Sequence, residues 1–436
     1  MARRSMDARR TTDDNHRMPS AKEEIQRILA SSEDDTQVLS ALFRFGERWE
    51  ESNALEEEVA LIEARFPEPM LAAANRWMDR AFAGEDDPRL RLCNRCIVTG
   101  PYAYKIRGKK FSDEHIENFC RSSFLGGVRY FTTTVSHKFG PRTFTAFSTA
   151  KTLLNLRELD LSHTKPGKSG LAALSSGPSL STLATLRLYD ASIDGKQLEA
   201  FCKGSTLASL THLVLARNSI GAQGAVALAS CPMLSKLESL DLNQCALDLA
   251  SLEALSKSAH LSRLQTLKID YNEDTLSGEI CETLATATFA PSLRSLDLSY
   301  LPVNEAGLAV LMTRASSLAA LHLRHTRLSK LDPLLVERET PITKLWLDDC
   351  PIDAAQLRAL IASPVFSKLT ELGVAGTSIG DEGILALAAA NLSSLTALNA
   401  SVERVTRASL QKLVDNPTLQ ATPKETLRQS LQYVTA

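Results

Sequence analysis

Aromatic residues are scarce in this chain of 436 residues, at 6% of the total, and neither sign of charge dominates, since the net charge is −2. The scarcity of aromatics argues against one large aromatic core, and the abundance of leucine, alanine and serine favours many small packing units instead. The near-zero net charge excludes a protein whose whole surface attracts nucleic acid or anionic membranes.

Long apolar runs are also missing, because no stretch approaches the about 18 apolar residues that span a bilayer. The N-terminal segment MARRSMDARRTTDDNHR has no apolar centre, so it predicts neither a signal peptide nor a twin-arginine signal. Five of the eight cysteines occupy apolar positions of the repeats described below, where we expect reduced, buried thiols: Cys202, Cys231, Cys245, Cys281 and Cys350. A reducing compartment, the cytoplasm, is the expected location, with no membrane partner.

What the chain does contain is a repeat of the form L-x-x-L-x-L, in ten copies between Leu156 and Ala400. The second apolar residue of successive copies recurs at intervals of 27, 27, 27, 27, 29, 25, 24, 27 and 26 residues. Such a period is typical of leucine-rich repeats. Each copy continues with a short helical pattern, and Asp194, Asp248 and Asp353 stand where helix N-caps are expected.

Two segments of the array carry a more specific motif than the leucine spacing. They are Asn218-Ser-Ile-Gly-Ala-Gln-Gly-Ala and Thr377-Ser-Ile-Gly-Asp-Glu-Gly. The array resembles ribonuclease-inhibitor-type leucine-rich repeats, in a bacterial-looking form, over about 250 residues. The resemblance implies an α/β solenoid shaped as a horseshoe, with a parallel sheet on the concave face and helices on the convex face. It does not specify a function, because this fold supports inhibitors, sensors, adaptors and effectors.

The family's asparagine position is filled here by Asn, Thr or Cys in seven of nine repeats and by Ala191 and Leu301 in the other two. Asn, Thr and Cys side chains donate hydrogen bonds to backbone carbonyls at the turn, and most repeats have one of them at this position. Ala191 and Leu301 lack a donor, so we expect irregular strand pairing at those two repeats.

The remaining segments differ in composition from the array. Residues 1–20 are polar and expected to be disordered, and residues 21–92 have helical apolar spacing. Residues 93–150 are predicted to form a basic, β-rich entry module that caps the first repeat. The repeats themselves span residues 151–402, and residues 403–436 are predicted to form the C-terminal cap.

Candidate binding residues follow from the strand pattern, because the leucines point into the solenoid and positions three, five, seven and eight of each repeat point to the concave surface. Trp346 at such a position has no packing role, and Trp, Tyr and Arg usually contribute most of the binding energy of interfaces. We therefore expect a protein partner to bind repeats five to eight around Trp346. The predicted contact residues are Lys268, Asp270, Tyr271, Tyr300, His322, Arg324, Trp346 and Asp348.

A second candidate is the set Cys93, Cys96, His115 and Cys120, whose spacing is C-x2-C-x18-H-x4-C. Cysteine and histidine at short spacing can bind zinc and stabilise a small module. However, there is no second C-x2-C pair, and a redox pair would need a thioredoxin-like context. Structural thiols are the preferred interpretation, with zinc and redox roles as the alternatives, and no cofactor is expected.

The basic run Lys105, Arg107, Lys109 and Lys110 lies among aromatic residues and could contact phosphates, although a solvated hairpin is the preferred interpretation. The sequence contains no phosphate-binding glycine loop, nucleophile elbow or metalloprotease motif, so no enzymatic activity is expected. The sequence thus predicts a scaffold, receptor or inhibitor that binds a protein. The alternative is an enzyme or effector active within residues 21–150, with the repeats selecting its target.

Overall fold

Thirteen parallel strands form one sheet along the chain, each followed by a connection that returns to the start of the next strand. The computed structural model describes residues 21–30, 70–71, 83, 96–99, 105–106, 109–110, 112–122, 128–132, 139–276, 279–335, 341–400 and 405–431. The strands are Met70–Leu71 (β1), Cys96–Thr99 (β2), Lys105–Ile106 (β3), Lys109–Lys110 (β4), Tyr130–Thr132 (β5), Glu158–Asp160 (β6), Thr185–Arg187 (β7), His212–Val214 (β8), Ser239–Asp241 (β9), Thr266–Lys268 (β10), Ser295–Asp297 (β11), Ala320–His322 (β12), Lys344–Trp346 (β13), Glu371–Gly373 (β14) and Ala397–Asn399 (β15). The sheet runs in the order β1-β2-β5-β6 and then consecutively to β15, and β3 and β4 form a separate antiparallel hairpin.

The helices of the repeats pack against one side of the sheet. In chain order, the described helices are Ala21–Leu29 (α1), Asp113–Arg121 (α2), Pro141–Thr149 (α3), Gly167–Ser176 (α4), Gly195–Cys202 (α5), Gly221–Ala229 (α6), Leu249–Ser256 (α7), Ile280–Ala285 (α8), Glu305–Arg314 (α9), Ala354–Ala362 (α10), Gly380–Ala389 (α11), Arg407–Val414 (α12) and Ala421–Ser430 (α13). Short 3-10 turns lie at Pro178–Leu180, Pro232–Leu234, Ala290–Ser292, Asp332–Leu334 and Phe366–Lys368. In the described part of the chain, no helix is long and apolar enough to cross a bilayer.

The predicted α/β leucine-rich-repeat solenoid is confirmed in architecture and in register. Each of the ten strands β6 to β15 begins at the third position of a predicted L-x-x-L-x-L copy. The central leucine of each strand faces the helices and pairs in register with its neighbours, as Leu240 does with Leu213 and Leu267. Leu240 is fully buried, like the other leucines of the motif, and together they form one continuous core.

The helix starts follow the predicted capping chemistry. Asp194, Asp248 and Asp353 each accept a hydrogen bond from the backbone N–H three residues on, at 2.8, 2.8 and 2.9 Å. These bonds satisfy donors that the first helical turn leaves unpaired. The confirmed caps fix where each strand–helix connection ends.

Side chains at the family's asparagine position bond to the turn backbone as predicted. Asn218 accepts from the N–H groups of Ala191 and Ile193 and donates to the carbonyl of Leu215 at 2.7 Å. Asn218 Nδ2 also donates to the Leu188 carbonyl at 2.8 Å, so the next repeat supplies the donor that Ala191 lacks, and the expected irregular pairing there is wrong. Strand β7 pairs in full with both neighbours, and so does β11, which precedes Leu301.

The sheet continues N-terminally beyond the predicted array. Strand β5 pairs with β6, and Phe131 in β5 takes the place of the central leucine, packing edge-on against Phe147 with ring centroids 4.8 Å apart. Helix α1 agrees with the helical spacing of residues 21–92, whereas β1 is a strand in that segment. Its pairing with β2 is long-range and leaves no periodic signal in the sequence. The predictions for residues 1–20 and for most of 31–92 lie outside the described residues.

Candidate binding face of the repeat sheet

In the described repeats one face of the sheet packs against helices, and the side chains of interest lie on the opposite face. Within most strands of the array the first and third residues are partly exposed and the middle residue is buried, as in Glu158–Asp160. Strand alternation produces this division, since neighbouring residues point to opposite faces. We call this surface the outer face, and it corresponds to the face predicted to be concave.

Three residues after the end of each of the strands β6 to β14, position eight of the repeat has a left-handed backbone. The φ angles at nine such positions lie between 48° and 66°, at His163, Asp190, Arg217, Gln244, Tyr271, Tyr300, His325, Asp349 and Gly376. A left-handed conformation is uncommon for residues other than glycine. Its recurrence shows that the turn imposes it, and it places successive side chains next to one another in a row, which we call the rim row.

The aromatic members of the rim row are stacked. The rings of Tyr271 and Tyr300 lie 3.9 Å apart at 23°, and those of Tyr300 and His325 lie 4.4 Å apart at 18°. The side-chain hydrogen bond between Tyr271 and Tyr300, together with burial, raises the pKa of Tyr271 to about 12. Tyr271 nevertheless remains 42% exposed, so the stack offers an ordered aromatic edge to solvent.

Trp346 lies at the centre of a second cluster, on the strands themselves. Its ring is parallel to that of His322 on the neighbouring strand, with centroids 6.2 Å apart and an angle of 6°. The guanidinium carbon of Arg324 lies 4.5 Å from the Trp346 ring centroid, within the range of a cation–π contact. Arg324 Nε also lies 3.1 Å from Asp348 Oδ2 as an ion pair. We call these four residues the tryptophan cluster.

The indole N–H of Trp346 is buried and has no hydrogen-bond partner among the described residues. A buried, unpaired donor is costly, and native proteins rarely keep one without a reason. Trp346 thus combines a partly exposed ring with a donor that has no partner among the described residues.

A glycine on the adjacent strand makes room for this cluster. A Cβ at Gly373 would overlap Asp348 Oδ2 and lie 2.5 Å from Trp346 Cε3. Asp348 Oδ1 accepts from the Ala375 N–H at 3.0 Å and from Asn399 Nδ2 at 2.8 Å. Burial raises the pKa of Asp348, against the lowering effect of the Ala375 N–H and Arg324. Burial also lowers the pKa of His322, which favours the neutral ring.

An acidic patch lies next to the tryptophan cluster, around Asp270. This side chain is 8% exposed and accepts a hydrogen bond from Asn243 Nδ2, while its Oδ1 is buried with no partner in the described part of the chain. Burial raises the pKa of Asp270 to about 7, and the negative charges of Asp297 and Asp241 add to that rise. Lys268 Nζ lies 3.6 Å from Asp241 Oδ2 and offsets part of the charge.

The eight predicted contact residues thus lie on the outer face or its rim, but in three groups. Trp346, His322, Arg324 and Asp348 touch as predicted, whereas Tyr271 and Tyr300 stack along the rim row and Lys268 and Asp270 belong to the acidic patch. Sequence reasoning did not include His325 in the aromatic stack or Gly373 as the space beside Trp346. One signal was available: position eight carries no β-branched residue in the first nine copies, as a left-handed backbone requires, and only the tenth copy has one there, Val402.

The predicted cysteine–histidine set is only partly described. His115 is buried in α2, where its Nδ1 accepts from the Ser112 N–H at 3.2 Å as part of a capping box. Cys120 is buried in the same helix, and burial raises the pKa of its thiol. The Cys93 position and the Cys96 side chain lie outside the described residues, among which no group of three potential ligands could hold a metal ion.

The basic run appears in the structure as the hairpin of β3 and β4, in which Lys105 pairs with Lys110 and Ile106 with Lys109. Arg107 lies outside the described residues. The short antiparallel pairing agrees with the predicted hairpin, and contact with phosphates stays a prediction.

Comparison with known proteins gave one family match and several similar solved structures. A profile of the family "Leucine Rich repeat" matches residues 206–229 and 367–388, which include the two segments that carry the more specific motif. No curated protein sequence matches the chain. Among solved structures, an internalin (inlF) from Listeria monocytogenes str. 4b F2365 is similar at 18% identity and a TM-score of 0.46, covering 82% of this chain and 96% of that one.

Two other structures are similar at comparable levels. The chain in a TLR13-ssRNA13 complex is 17% identical with a TM-score of 0.42, covering 76% of this chain and 41% of that one. An internalin C2 (inlC2) from the same Listeria strain is 18% identical with a TM-score of 0.35, covering 72% and 96%. The likeness to leucine-rich repeats therefore rests on the two segments that the profile matches and on the ten repeats themselves.

Proposed function

We propose that this chain, a leucine-rich-repeat protein, binds another protein through the outer face of its sheet, with Trp346 at the centre of the contact. The main support for this proposal is the tryptophan cluster. Its indole ring is partly exposed and lies between His322 and Arg324, and the buried indole N–H has no partner among the described residues. A core residue would be covered by helices, and an ordinary surface residue would not require Gly373 beside it.

Preorganisation is the physical basis of this proposal. Large aromatic side chains dominate interface energies, and ordering a free side chain during binding costs roughly 0.5–1.5 kcal/mol. The rings of Trp346, Tyr271 and Tyr300 are already held by their neighbours before any partner arrives. The acidic patch beside them supplies charge that sets the orientation of the partner and rejects partners of the wrong charge.

The enzymatic alternative within residues 21–150 gains no support from the described part of that region. Its two described candidates for chemistry, His115 and Cys120, are buried in α2, and the Cys120 thiol has a raised pKa. A raised thiol pKa disfavours the thiolate that nucleophilic chemistry requires. Binding without catalysis is therefore the proposal that the described residues favour.

The test compares three full-length proteins as bait in native lysate: the wild type, Trp346→Ala and Lys257→Ala. Lys257 caps α7 on the helical side, where it is exposed and pairs with Glu253 at 3.0 Å. We expect a protein that the wild type and Lys257→Ala both retain and that Trp346→Ala loses. With that protein purified, Trp346→Ala should weaken binding by about thirtyfold, equivalent to about 2 kcal/mol.

Two outcomes contradict the proposal. If Trp346→Ala retains the same proteins as the wild type while Lys257→Ala loses them, the helices form the binding surface. If neither variant changes what is retained, but exchanging Arg121 and Arg142 for alanine on α2 and α3 does, the partner binds ahead of the array. Unchanged melting temperatures would confirm that each variant remains folded.

A further inference from the structure

A recess of about 500 Å³ opens beside the rim row, on the N-terminal side of Tyr271. The rim-row residues that line it are Asp190, Arg217, Gln244 and Tyr271. Tyr300, on the other side of Tyr271, is not among the lining residues. One face of the Tyr271 ring is covered by Tyr300 at 3.9 Å, so the face that remains open is the one toward the recess.

The wall of the recess contains two residues more than the equivalent turn of the third repeat. In the third repeat one exposed residue separates Asn218 from the buried Ile220. In the fifth repeat three exposed residues, 273–275, separate Asn272 from the buried Leu276. The 29-residue interval between the fifth and sixth copies therefore arises at the recess.

The longer turn is tied to the repeat before it. Thr275 Oγ1 donates to the carbonyl of Leu247, and the Thr275 N–H donates to the Asn272 carbonyl at 3.1 Å. The inserted turn brings Glu273 and Asp274 to the recess. Both are exposed, and neither is in an ion pair with any residue that the structure describes. Two carboxylates are thus held beside an open aromatic face.

The charged residues at the other end of the recess are already engaged. Asp190 Oδ2 lies 3.2 Å from His163 Nδ1, and Arg217 Nη1 donates to the Tyr189 hydroxyl at 2.9 Å. The guanidinium carbon of Arg217 also lies 5.8 Å from the centroid of the Tyr189 ring. Tyr189 therefore has a guanidinium beside its ring, whereas the open face of Tyr271 has two carboxylates next to it and no cation of its own among the described residues.

We infer that this recess binds an arginine side chain of the partner protein, with the guanidinium stacked on the open face of Tyr271 and its N–H groups donating to Glu273 and Asp274. Arginine fits because its planar guanidinium stacks on aromatic rings and donates to carboxylates at the same time, whereas a lysine ammonium is a compact, strongly hydrated charge. This inference rests on the proposed function, since the arginine belongs to the protein that the tryptophan cluster binds.

The test uses the full-length protein, labelled with carbon-13 on its tyrosine rings, and the capped tripeptide acetyl-glycyl-arginyl-glycine amide. We expect the peptide to cause a saturable shift of the Tyr271 ring signal, which is assigned by its absence from Tyr271→Leu. The same peptide with lysine in place of arginine should bind about fivefold more weakly. Citrulline keeps the shape of arginine without its charge, and the citrulline peptide should cause no saturable shift.

Exchange of both carboxylates, Glu273→Gln with Asp274→Asn, should weaken binding of the arginine peptide about tenfold. The matched control is Glu382→Gln, an exposed carboxylate on α11, which should leave the affinity unchanged. Trp346→Ala should also leave it unchanged, because Trp346 does not line the recess. The inference and the proposed function are therefore judged by different measurements, the peptide titration and the retention of lysate proteins.

The wild-type titrations decide the question even if a variant folds poorly. The inference is wrong if the arginine peptide causes no saturable shift at tens of millimolar, or if the arginine, lysine and citrulline peptides bind equally. It is also wrong if the double exchange of Glu273 and Asp274, in a folded protein, leaves the affinity unchanged. Tighter binding of free arginine than of the capped tripeptide would overturn it as well, because the recess would then be a site for a small molecule.

Discussion

The same position of the repeat carries a buried aspartate in two neighbouring regions, Asp270 in the acidic patch and Asp348 in the tryptophan cluster. Asp348 is balanced by the Arg324 ion pair and by two N–H donors. Asp270 has one donor and faces two further carboxylates, and its pKa rises to about 7. Identical backbone placement thus gives different electrostatics, because neighbouring repeats supply the partners.

The largest effect is expected from a change in the leucine core, on which both regions rest. Leu240→Asp would place a charge at a fully buried site between Leu213 and Leu267, directly under the acidic patch. Burying an unpaired charge is among the most destabilising changes known, and we expect a loss of roughly 4 kcal/mol or more. Urea titration followed by circular dichroism measures this loss in the free energy of unfolding. If the urea midpoint of Leu240→Asp equals that of the wild type, the register of the strands is wrong.

The second change breaks the tryptophan cluster alone. Gly373→Ala adds a Cβ that overlaps Asp348 Oδ2 and crowds Trp346, so we expect a loss of about 2 kcal/mol from overpacking. Tryptophan fluorescence should change with it, because the ring must move away from Arg324. The matched control is Val214→Ala, at the same position of strand β8, which should leave the fluorescence unchanged. Equal spectra for wild type and Gly373→Ala would show that the glycine is not required there.

The third change tests the acidic patch through pH. In the folded protein the pKa of Asp270 is about 7, above the unfolded value of about 3.9. The folded state therefore binds more protons between these values, and its stability falls as pH rises from about 4 to 7. We expect Asp270→Asn to remove this fall and to stabilise the protein at pH 8 by about 1–2 kcal/mol.

Asp348→Asn sharpens the comparison, because it removes an ion pair instead of a repulsion. Burial raises the pKa of Asp348 as well, but Arg324 and the Ala375 N–H oppose the rise, so Asp348→Asn should stabilise the protein at pH 8 by less than Asp270→Asn does. Urea denaturation of both variants at pH 5 and pH 8 measures the difference. If both asparagine variants shift stability equally, the contrast between the two aspartates does not exist.

The smallest expected effect belongs to the rim row. Tyr271→Ala removes one ring of the stack, and since Tyr271 is 42% exposed, we expect a loss of stability below about 1 kcal/mol. Thermal unfolding measures this change, with Leu154→Ala, an exposed apolar residue away from the stack, as the control. A loss as large as that of Gly373→Ala would mean that the stack supports the fold.

The sequence predicts the fold in detail because each central leucine can be buried in only one register. All ten array strands fall where the leucine spacing places them. Strand β5 was not predicted as part of the array, although Val128 and Phe131 have the same spacing as Leu156 and Leu159, because other apolar residues replace the leucines. The composition of the outer face was also predictable, but its division into three groups was not. That division depends on the left-handed backbone at position eight and on contacts between repeats.

The rim row has a consequence for how such a protein can diversify. Its left-handed backbone accommodates histidine, aspartate, arginine, glutamine, tyrosine and glycine alike. The turn sets the conformational cost at each position, roughly 1–2 kcal/mol for a residue with a Cβ. Exchanging one such side chain for another that is not β-branched therefore leaves folding almost unaffected, while it changes the chemical group exposed at that edge. The chemistry of the rim row can thus vary one repeat at a time, independently of the leucines that form the core.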